Sequence, residues 1–169
     1  MNNNSFVNLH VHTGYSLLDG ACRIKPLIER VKELGQTAVA ITDHGVMYGA
    51  VDFWKEAQSA GIKAIIGCEV YVAPRKHTDK DGRIDLSPYH LILLCENNEG
   101  YKNLVKLVSI ASIDGFYNRP RIDFDLLKKY HTGLICLSGC LYGEIARLLV
   151  SGRYDDAKEK ALAYREVFG

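Results

Sequence analysis

Two histidines near the start of the chain are spaced so that both could bind one metal ion. The stretch from Asn8 to His12 reads NLHVH, and successive side chains on a strand alternate between faces, so His10 and His12 would share a face. The apolar and β-branched residues around them favour a strand that ends near the pair. The pattern therefore predicts either a metal site or two structural histidines that happen to alternate.

Further side chains that commonly bind metals recur after or within the next predicted strands. A carboxylate in the middle of an apolar strand, such as Glu69, needs a partner or a metal, because burying an unpaired charge costs several kcal/mol. Imidazoles with carboxylates and a thiolate suit Zn²⁺, Mn²⁺ or Fe²⁺, and the set is too large for one tetrahedral ion. It predicts a cluster of two or three ions, a type of centre that cleaves phosphoesters. The residues are Asp43, His44, Glu69, His90 and Cys140.

Each of these residues also has a separate structural explanation. His44 could cap a helix, Glu69 could pair with Arg75, and His90 could be a core histidine with satisfied hydrogen bonds. Their recurrence along successive strands favours one shared site, because α/β folds place their chemistry where the carboxyl ends of parallel strands meet.

Strands and helices alternate along the chain. Apolar residues at helical spacing predict helices over 24–34, 49–60 and 100–113, and apolar runs predict strands over 38–41, 63–74, 89–95 and 134–137. Two further helices, separated at Ser151 and Gly152, are predicted over 141–168, and the polar segment 75–88 reads as a surface excursion. This order predicts a parallel sheet, and five βα units would form part of an eight-fold barrel.

Composition limits the classes of function. The chain has 169 residues, 47% of them hydrophobic and 24% charged, which is typical of one soluble domain with a sizeable core. Its net charge of +1 gives no general attraction to nucleic acid or membrane, so any DNA contact would be local. No apolar run is long enough to span a membrane, and five cysteines without a CxxC pair point to a reducing, cytoplasmic compartment.

Six short motifs occur in the order typical of a known family. They are HVHT from His10, DG from Asp19, TDHG from Thr42, GCEVYV from Gly67, YHLILL from Tyr89 and LSGC from Leu137. In these motifs the chain resembles the polymerase and histidinol phosphatase (PHP) family. The stretches HVHTGYSLLDGA and GFYNRPRID are similar to the branch found at the amino terminus of bacterial replicative DNA polymerases, rather than to stand-alone phosphatases.

The resemblance implies a fold and a set of site residues. The fold would be a distorted (β/α) barrel of the PHP type, similar to a TIM barrel and incomplete at its carboxyl end, with residues 1–169 as an amino-terminal fragment of the domain. Asp43 would serve catalysis by orienting the ligating His44, and Arg119 and Arg121 could bind a substrate phosphate or make internal ion pairs. The implied metal ligands are His10, His12, Asp19, His44, Glu69, His90 and Cys140.

The resemblance also implies a functional context. The full protein would be a DNA-directed DNA polymerase with Mg²⁺ in a polymerase domain outside this chain, and with DNA, a sliding clamp and a proofreading subunit as partners. The fragment itself would be at most a metal-dependent phosphoesterase, with 3′ to 5′ exonuclease activity as the candidate. The alternatives are a non-catalytic scaffold within the polymerase and a stand-alone PHP phosphatase. The family completes its site with a later Asp-x-His, which is absent after Cys140.

Overall fold

A computed structural model describes residues 6–169, so residues 1–5 of the predicted domain lie outside the described residues. The helices predicted over 24–34, 49–60, 100–113 and 141–168 and the strands predicted over 38–41, 63–74, 89–95 and 134–137 are confirmed, with small shifts at their ends. The helices are α1 (Ile24–Glu33), α2 (Ala50–Ala60), α3 (Asn98–Ile113), α4 (Phe124–Tyr130), α5 (Glu144–Val150) and α6 (Tyr154–Phe168). The strands are β1 (Ala38–Ile41), β2 (Lys63–Val72), β3 (Tyr89–Cys95), β4 (Arg121–Ile122) and β5 (Leu134–Leu137).

These strands form a mixed sheet, so the prediction of a parallel sheet is wrong for β3, which runs opposite to the other four strands. The path is β1-β2-β3-β5, with β4 beside β2. β1 and β4 run parallel to β2, whereas β3 is antiparallel to both β2 and β5. The reason lies in the connection 73–88, which contains no helix in the structure, while parallel neighbours are usually joined by a helical crossover.

The antiparallel direction of β3 explains how a residue at the start of a strand reaches the predicted site. His90 is the second residue of β3, and it pairs with Tyr71 near the carboxyl end of β2. The start of β3 therefore lies beside the end of β2, where Glu69 and Tyr71 are found.

The segment before His12 is extended but does not form the predicted strand. It runs beside β1, where Asn8 bridges Val39 and the Asn8 carbonyl accepts a 2.9 Å hydrogen bond from Ala40. Further along, the Val11 carbonyl accepts from the Thr42 amide at 2.8 Å. One backbone hydrogen bond of a regular strand pairing is replaced by a side-chain bond, because the Val11 amide donates to Thr42 Oγ1 at 3.0 Å. These hydrogen bonds nevertheless hold the backbone around His10 and His12 against the end of β1.

The core is divided between two groups of helices. Helices α3, α4 and α6 cover one part of the sheet around Leu93, Leu107 and Leu127, which are fully buried. Helices α1 and α2 cover β1 around Ile28, Val39 and Phe53. None of the helices in residues 6–169 is long and apolar enough to cross a membrane.

Candidate metal centre

The centre of the site is the buried carboxylate of Glu69, which is 1% exposed and surrounded by imidazoles. Its Oε2 atom lies 2.5 Å from His10 Nε2 and 3.1 Å from His12 Nε2. Its Oε1 atom lies 2.5 Å from His90 Nδ1 and 3.8 Å from His44 Nδ1. The partner that Glu69 needs is therefore this set of histidines. The alternative pairing with Arg75 is wrong, since that guanidinium bonds to Asp85.

The predicted ligands form three overlapping groups that could each hold a metal ion, with the ligand atoms of each group within 4.8 Å of one another. Because neighbouring groups share residues, the arrangement fits a cluster better than a single ion. The groups are His10, His12 and Glu69; His12, Asp19 and His44; and His44, Glu69 and His90. Cys140 belongs to none of the three groups, although its Sγ atom lies 3.8 Å from His90 Nδ1.

One buried nitrogen in this cluster is left without a hydrogen bond. The Nδ1 atom of His44 is buried and has no hydrogen-bond partner within the described part of the chain. Leaving such an atom unsatisfied costs about 1–3 kcal/mol, so a cation near it would relieve the cost. The ring is also packed tightly, since it stacks on His12 at a centroid distance of 4.1 Å. These observations fit the chemistry of a divalent metal site.

The electrostatics of the cluster follow from burial and from the shared carboxylate. Burial alone would raise the pKa of the Glu69 carboxyl, but hydrogen bonds from three histidines outweigh it and hold that pKa far below the usual range. The hydrogen bond to Glu69 raises the pKa of His12 above its ordinary value, against the opposing effect of burial. Burial lowers the pKa of His44. At neutral pH the carboxylate and the His44 ring therefore hold the protonation states that metal binding requires.

Asp43 has no hydrogen bond to the His44 ring, so it would orient that histidine through another residue. The carboxylate is 2% exposed and accepts hydrogen bonds from the Thr13 amide at 2.6 Å, Thr13 Oγ1 at 2.8 Å and Ser16 Oγ at 2.7 Å. Ser16 Oγ in turn accepts from the His44 amide at 3.1 Å and lies 3.4 Å from His12 Nδ1. Asp43 is therefore a positioning residue that acts through Ser16.

Thr13 and Ser16 are not among the predicted site residues, although the sequence contains a signal for them. Thr13 follows directly on the HxH motif and Ser16 comes three residues later, and both side chains are almost fully buried, at 0% and 2% exposure. A hydroxyl that follows a ligand and is predicted to be buried needs a hydrogen-bond acceptor. The carboxylate at Asp43 was the available candidate.

We expect Asp43→Asn to destabilise the fold and weaken metal binding together. The NH₂ group of the asparagine would face one of the N–H or O–H groups that now donate to the Asp43 carboxylate. This loss of a buried hydrogen bond should lower the free energy of unfolding by about 1–3 kcal/mol. Loss of a partner that orients ligands typically lowers metal affinity by roughly 10- to 100-fold. Thermal denaturation and metal titration measure the two effects. Asp155→Asn, on the exposed side of α6, is the control, and equal behaviour of the two variants would refute the role of Asp43.

Asp19 reaches the cluster from a tight turn between the HxH motif and α1. Its carboxylate accepts a 2.9 Å hydrogen bond from His44 Nε2. The turn places Leu18 in the left-handed region with φ of 68°, which is unusual for a residue other than glycine. Gly20 is required beside it, since a Cβ atom there would lie 1.8 Å from the Thr13 carbonyl oxygen. The turn is thus built to present Asp19 at the site.

The two predicted substrate-binding arginines have different surroundings. Arg119 is exposed and lines the cavity next to His44 and His90. Arg121 is fully buried, and its guanidinium donates to backbone carbonyls, so it is not available to a substrate. Of the two alternatives for Arg121, substrate binding is therefore wrong, and its role is structural. The accepting carbonyls are those of Gly115, Asp85, His77 and Asp79.

A mixed α/β fold with clustered histidines and carboxylates at the end of its strands is the arrangement that the PHP resemblance implies. Residues 8–169 match the sequence profile of the PHP domain, and the chain belongs to this family. The predicted resemblance to the family is confirmed.

The chain is similar to several known proteins. The chain is 51% identical over 97% of its length to the DNA polymerase III subunit alpha of Borreliella burgdorferi, and 52% identical over 98% of its length to that of Treponema pallidum. It spans 14% of the length of each of these relatives. Among solved structures, an amidohydrolase from Chromobacterium violaceum with bound sulfate and no metal overlaps 63% of the chain and 33% of its own length. The TM-score between this chain and the amidohydrolase is 0.46, and the two sequences are 24% identical over the overlap.

Proposed function

We propose that this chain is the amino-terminal PHP domain of a bacterial DNA polymerase III alpha subunit and binds two or three divalent metal ions for phosphoester hydrolysis. The substrate we propose is the 3′ end of a DNA strand, which would make the activity a 3′ to 5′ exonuclease. The ions would be Zn²⁺, Mn²⁺ or Fe²⁺, held by His10, His12, Asp19, His44, Glu69, His90 and Cys140.

The observation that carries this proposal is the position of Glu69 between two pairs of histidines. One carboxylate oxygen faces His10 and His12, and the other faces His90 and His44, so Glu69 would hold metal together with both pairs of histidines. A salt bridge that only stabilised the fold would need one partner for Glu69 rather than four. The number of converging nitrogens favours a metal centre.

The chemistry divides between the metal and the residues of the chain. A bound cluster would polarise a phosphoryl oxygen and lower the pKa of a water molecule, as two-metal phosphatases and nucleases do. The chain would hold the ligands in place through the Thr13, Ser16 and Asp43 hydrogen bonds. Arg119 would pair with a substrate phosphate at the edge of the site.

The relatives supply the wider context that we propose. In a protein of their kind, the remaining length would hold the polymerase domain and its Mg²⁺ ions. DNA, a sliding clamp and a proofreading subunit would be the partners. The protein would then act in the cytoplasm, where a bacterial replicase meets the chromosome. Residues 1–169 would be the amino-terminal fragment of the PHP domain in that chain.

Substitution of the histidines tests the metal centre. We expect His12→Ala and His44→Ala each to lower the metal content per chain, because each residue belongs to two of the three ligand groups. His131→Ala is the control, since that ring bonds to the Lys128 carbonyl and to no residue of the cluster. His77 is a poorer control than its sequence context predicts, because its ring bonds to Asp123 at 2.6 Å.

Hydrolysis is measured on the same variants with a 3′-labelled single strand and added Mn²⁺ or Zn²⁺. Hydrolysis by the wild type that is lost in His12→Ala and kept in His131→Ala would support the exonuclease. Metal that is retained without any hydrolysis would favour the scaffold role instead. Equal metal loss in all three variants would refute the assignment of ligands.

A further inference from the structure

A cavity of about 480 Å³ opens beside the metal ligands and has a second wall that the ligand set does not use. This volume is within the range of about 300–1,000 Å³ that is usual for sites that bind small molecules. Its lining combines residues of the cluster with aromatic and cationic side chains. The lining residues from the cluster are Asp19, His44 and His90, and the lining residues Tyr15, Tyr48 and Arg119 are called the second wall here.

The two tyrosines of the second wall form a supported but open aromatic surface. Tyr15 is held in place, since its amide donates to Thr13 Oγ1 at 3.2 Å and its ring packs where a Cβ atom on Gly49 would be 2.9 Å away. Its ring meets that of Tyr48 edge to face, with centroids 6.4 Å apart and planes at 78°. Tyr48 remains 74% exposed. A large ring surface is therefore presented to whatever enters the cavity.

Arg119 is placed at the same cavity by a tight turn. Asn118 adopts the left-handed region with φ of 58°, and the Tyr117 amide donates to the Arg119 carbonyl at 3.0 Å. The turn packs on the loop that carries His44, because a Cβ atom on Gly45 would lie 2.7 Å from Pro120. Among the described residues that line the cavity, Arg119 is the one lysine or arginine. It is the natural partner for a phosphate.

We propose that this cavity holds the 3′-terminal nucleotide of an unpaired DNA strand, with its base stacked on Tyr48 and its phosphate beside Arg119. The inference rests on the proposed function, since it concerns the substrate of the same site. Every nucleobase can stack on an aromatic ring, which gives binding that tolerates any sequence. A small phosphate ester would use Arg119 alone and leave Tyr48 without a contact. The second wall therefore selects a nucleotide over a simple phosphate.

The test measures binding of a short oligothymidylate, labelled at its 5′ end, by fluorescence anisotropy. EDTA is present throughout, so that hydrolysis and metal binding do not contribute. We expect Tyr48→Ala to raise the dissociation constant on the order of 10-fold, because base stacking is lost. Tyr48→Phe keeps the ring and should stay within about threefold of the wild type. Tyr154→Ala, which removes another exposed tyrosine at the start of α6, should leave binding unchanged.

A strand with an abasic residue at its 3′ end identifies the contact. The wild type should bind the 3′-abasic strand as weakly as Tyr48→Ala binds the intact strand. The wild type and Tyr48→Ala should bind the 3′-abasic strand with the same dissociation constant. A strand that is abasic at its 5′ end should behave like the intact strand. The proposal is overturned if the wild type does not bind the intact strand. It is also overturned if Tyr48→Ala matches Tyr154→Ala, or if the position of the abasic residue has no effect.

These outcomes separate this inference from the proposed function. Loss of base-dependent binding in a protein that binds metal and hydrolyses DNA would refute only the role of Tyr48. Base-dependent binding in EDTA by a protein that takes up no Mn²⁺ or Zn²⁺ when it is saturated without chelator would refute only the hydrolytic centre.

Discussion

Glu69→Gln should cause the largest loss of metal of any single substitution in this chain. Glu69 belongs to two of the three ligand groups, and its two oxygens face four imidazole nitrogens. Glutamine keeps the shape but replaces one oxygen with an amide donor, which cannot bind a cation. The affinity for metal should fall by more than the roughly 10- to 100-fold typical of residues that only orient ligands. Isothermal titration with Mn²⁺ or Zn²⁺ measures this change.

The matched control for this variant is Glu166→Gln on the exposed side of α6. It makes the same chemical change far from the cluster and should bind metal as the wild type does. A Glu69→Gln protein that binds as much metal as Glu166→Gln, with the same affinity, would show that the histidines hold the ions without the carboxylate. The assignment of Glu69 as a metal ligand would then be wrong.

Arg121→Ala should have the largest effect on stability. The guanidinium is fully buried and donates to four carbonyls, three in the segment 77–85 and one at Gly115. These hydrogen bonds connect both regions to β4. Alanine would leave a cavity and unsatisfied carbonyls together, so we expect the free energy of unfolding to fall by about 3–5 kcal/mol. Urea denaturation followed by circular dichroism gives this value.

Arg119→Ala is an internal control two residues away. Arg119 is exposed, and a surface substitution of this kind usually changes stability by less than about 0.5 kcal/mol. The two substitutions should therefore have different effects. Arg121→Ala should lower the free energy of unfolding, and Arg119→Ala should weaken the binding of DNA. Equal midpoints of unfolding for the two variants would contradict the structural role of Arg121.

The location of the site could be predicted from the sequence because two of its features are local. The period of two along an extended segment places His10 and His12 on one face, and their Nε2 atoms lie 3.0 Å apart. The buried charge at Glu69 required a partner, which identified β2 as part of the site. His44 was indicated by its position three residues after the apolar run 38–41. Each inference needed only the immediate neighbours of the residue.

The features that could not be predicted depend on contacts between distant segments. The antiparallel direction of β3 depends on how the polar segment 73–88 packs, and that packing is fixed by Arg121, more than thirty residues later. The hydrogen bonds of Asp43 to Thr13 join loops that are far apart in the chain. The second wall at Tyr48 could not be predicted either, because no local sequence pattern distinguishes a tyrosine that lines a cavity from any other exposed tyrosine.

The most direct test of the metal centre is the number of metal ions per chain. The protein is purified without chelator, saturated with Zn²⁺ or Mn²⁺, freed of excess ions and examined by elemental analysis. Because the ligands form three overlapping groups, the predicted result is two or three ions per chain. A value below one ion per chain, unchanged after saturation, would contradict the assignment of a metal centre to these residues.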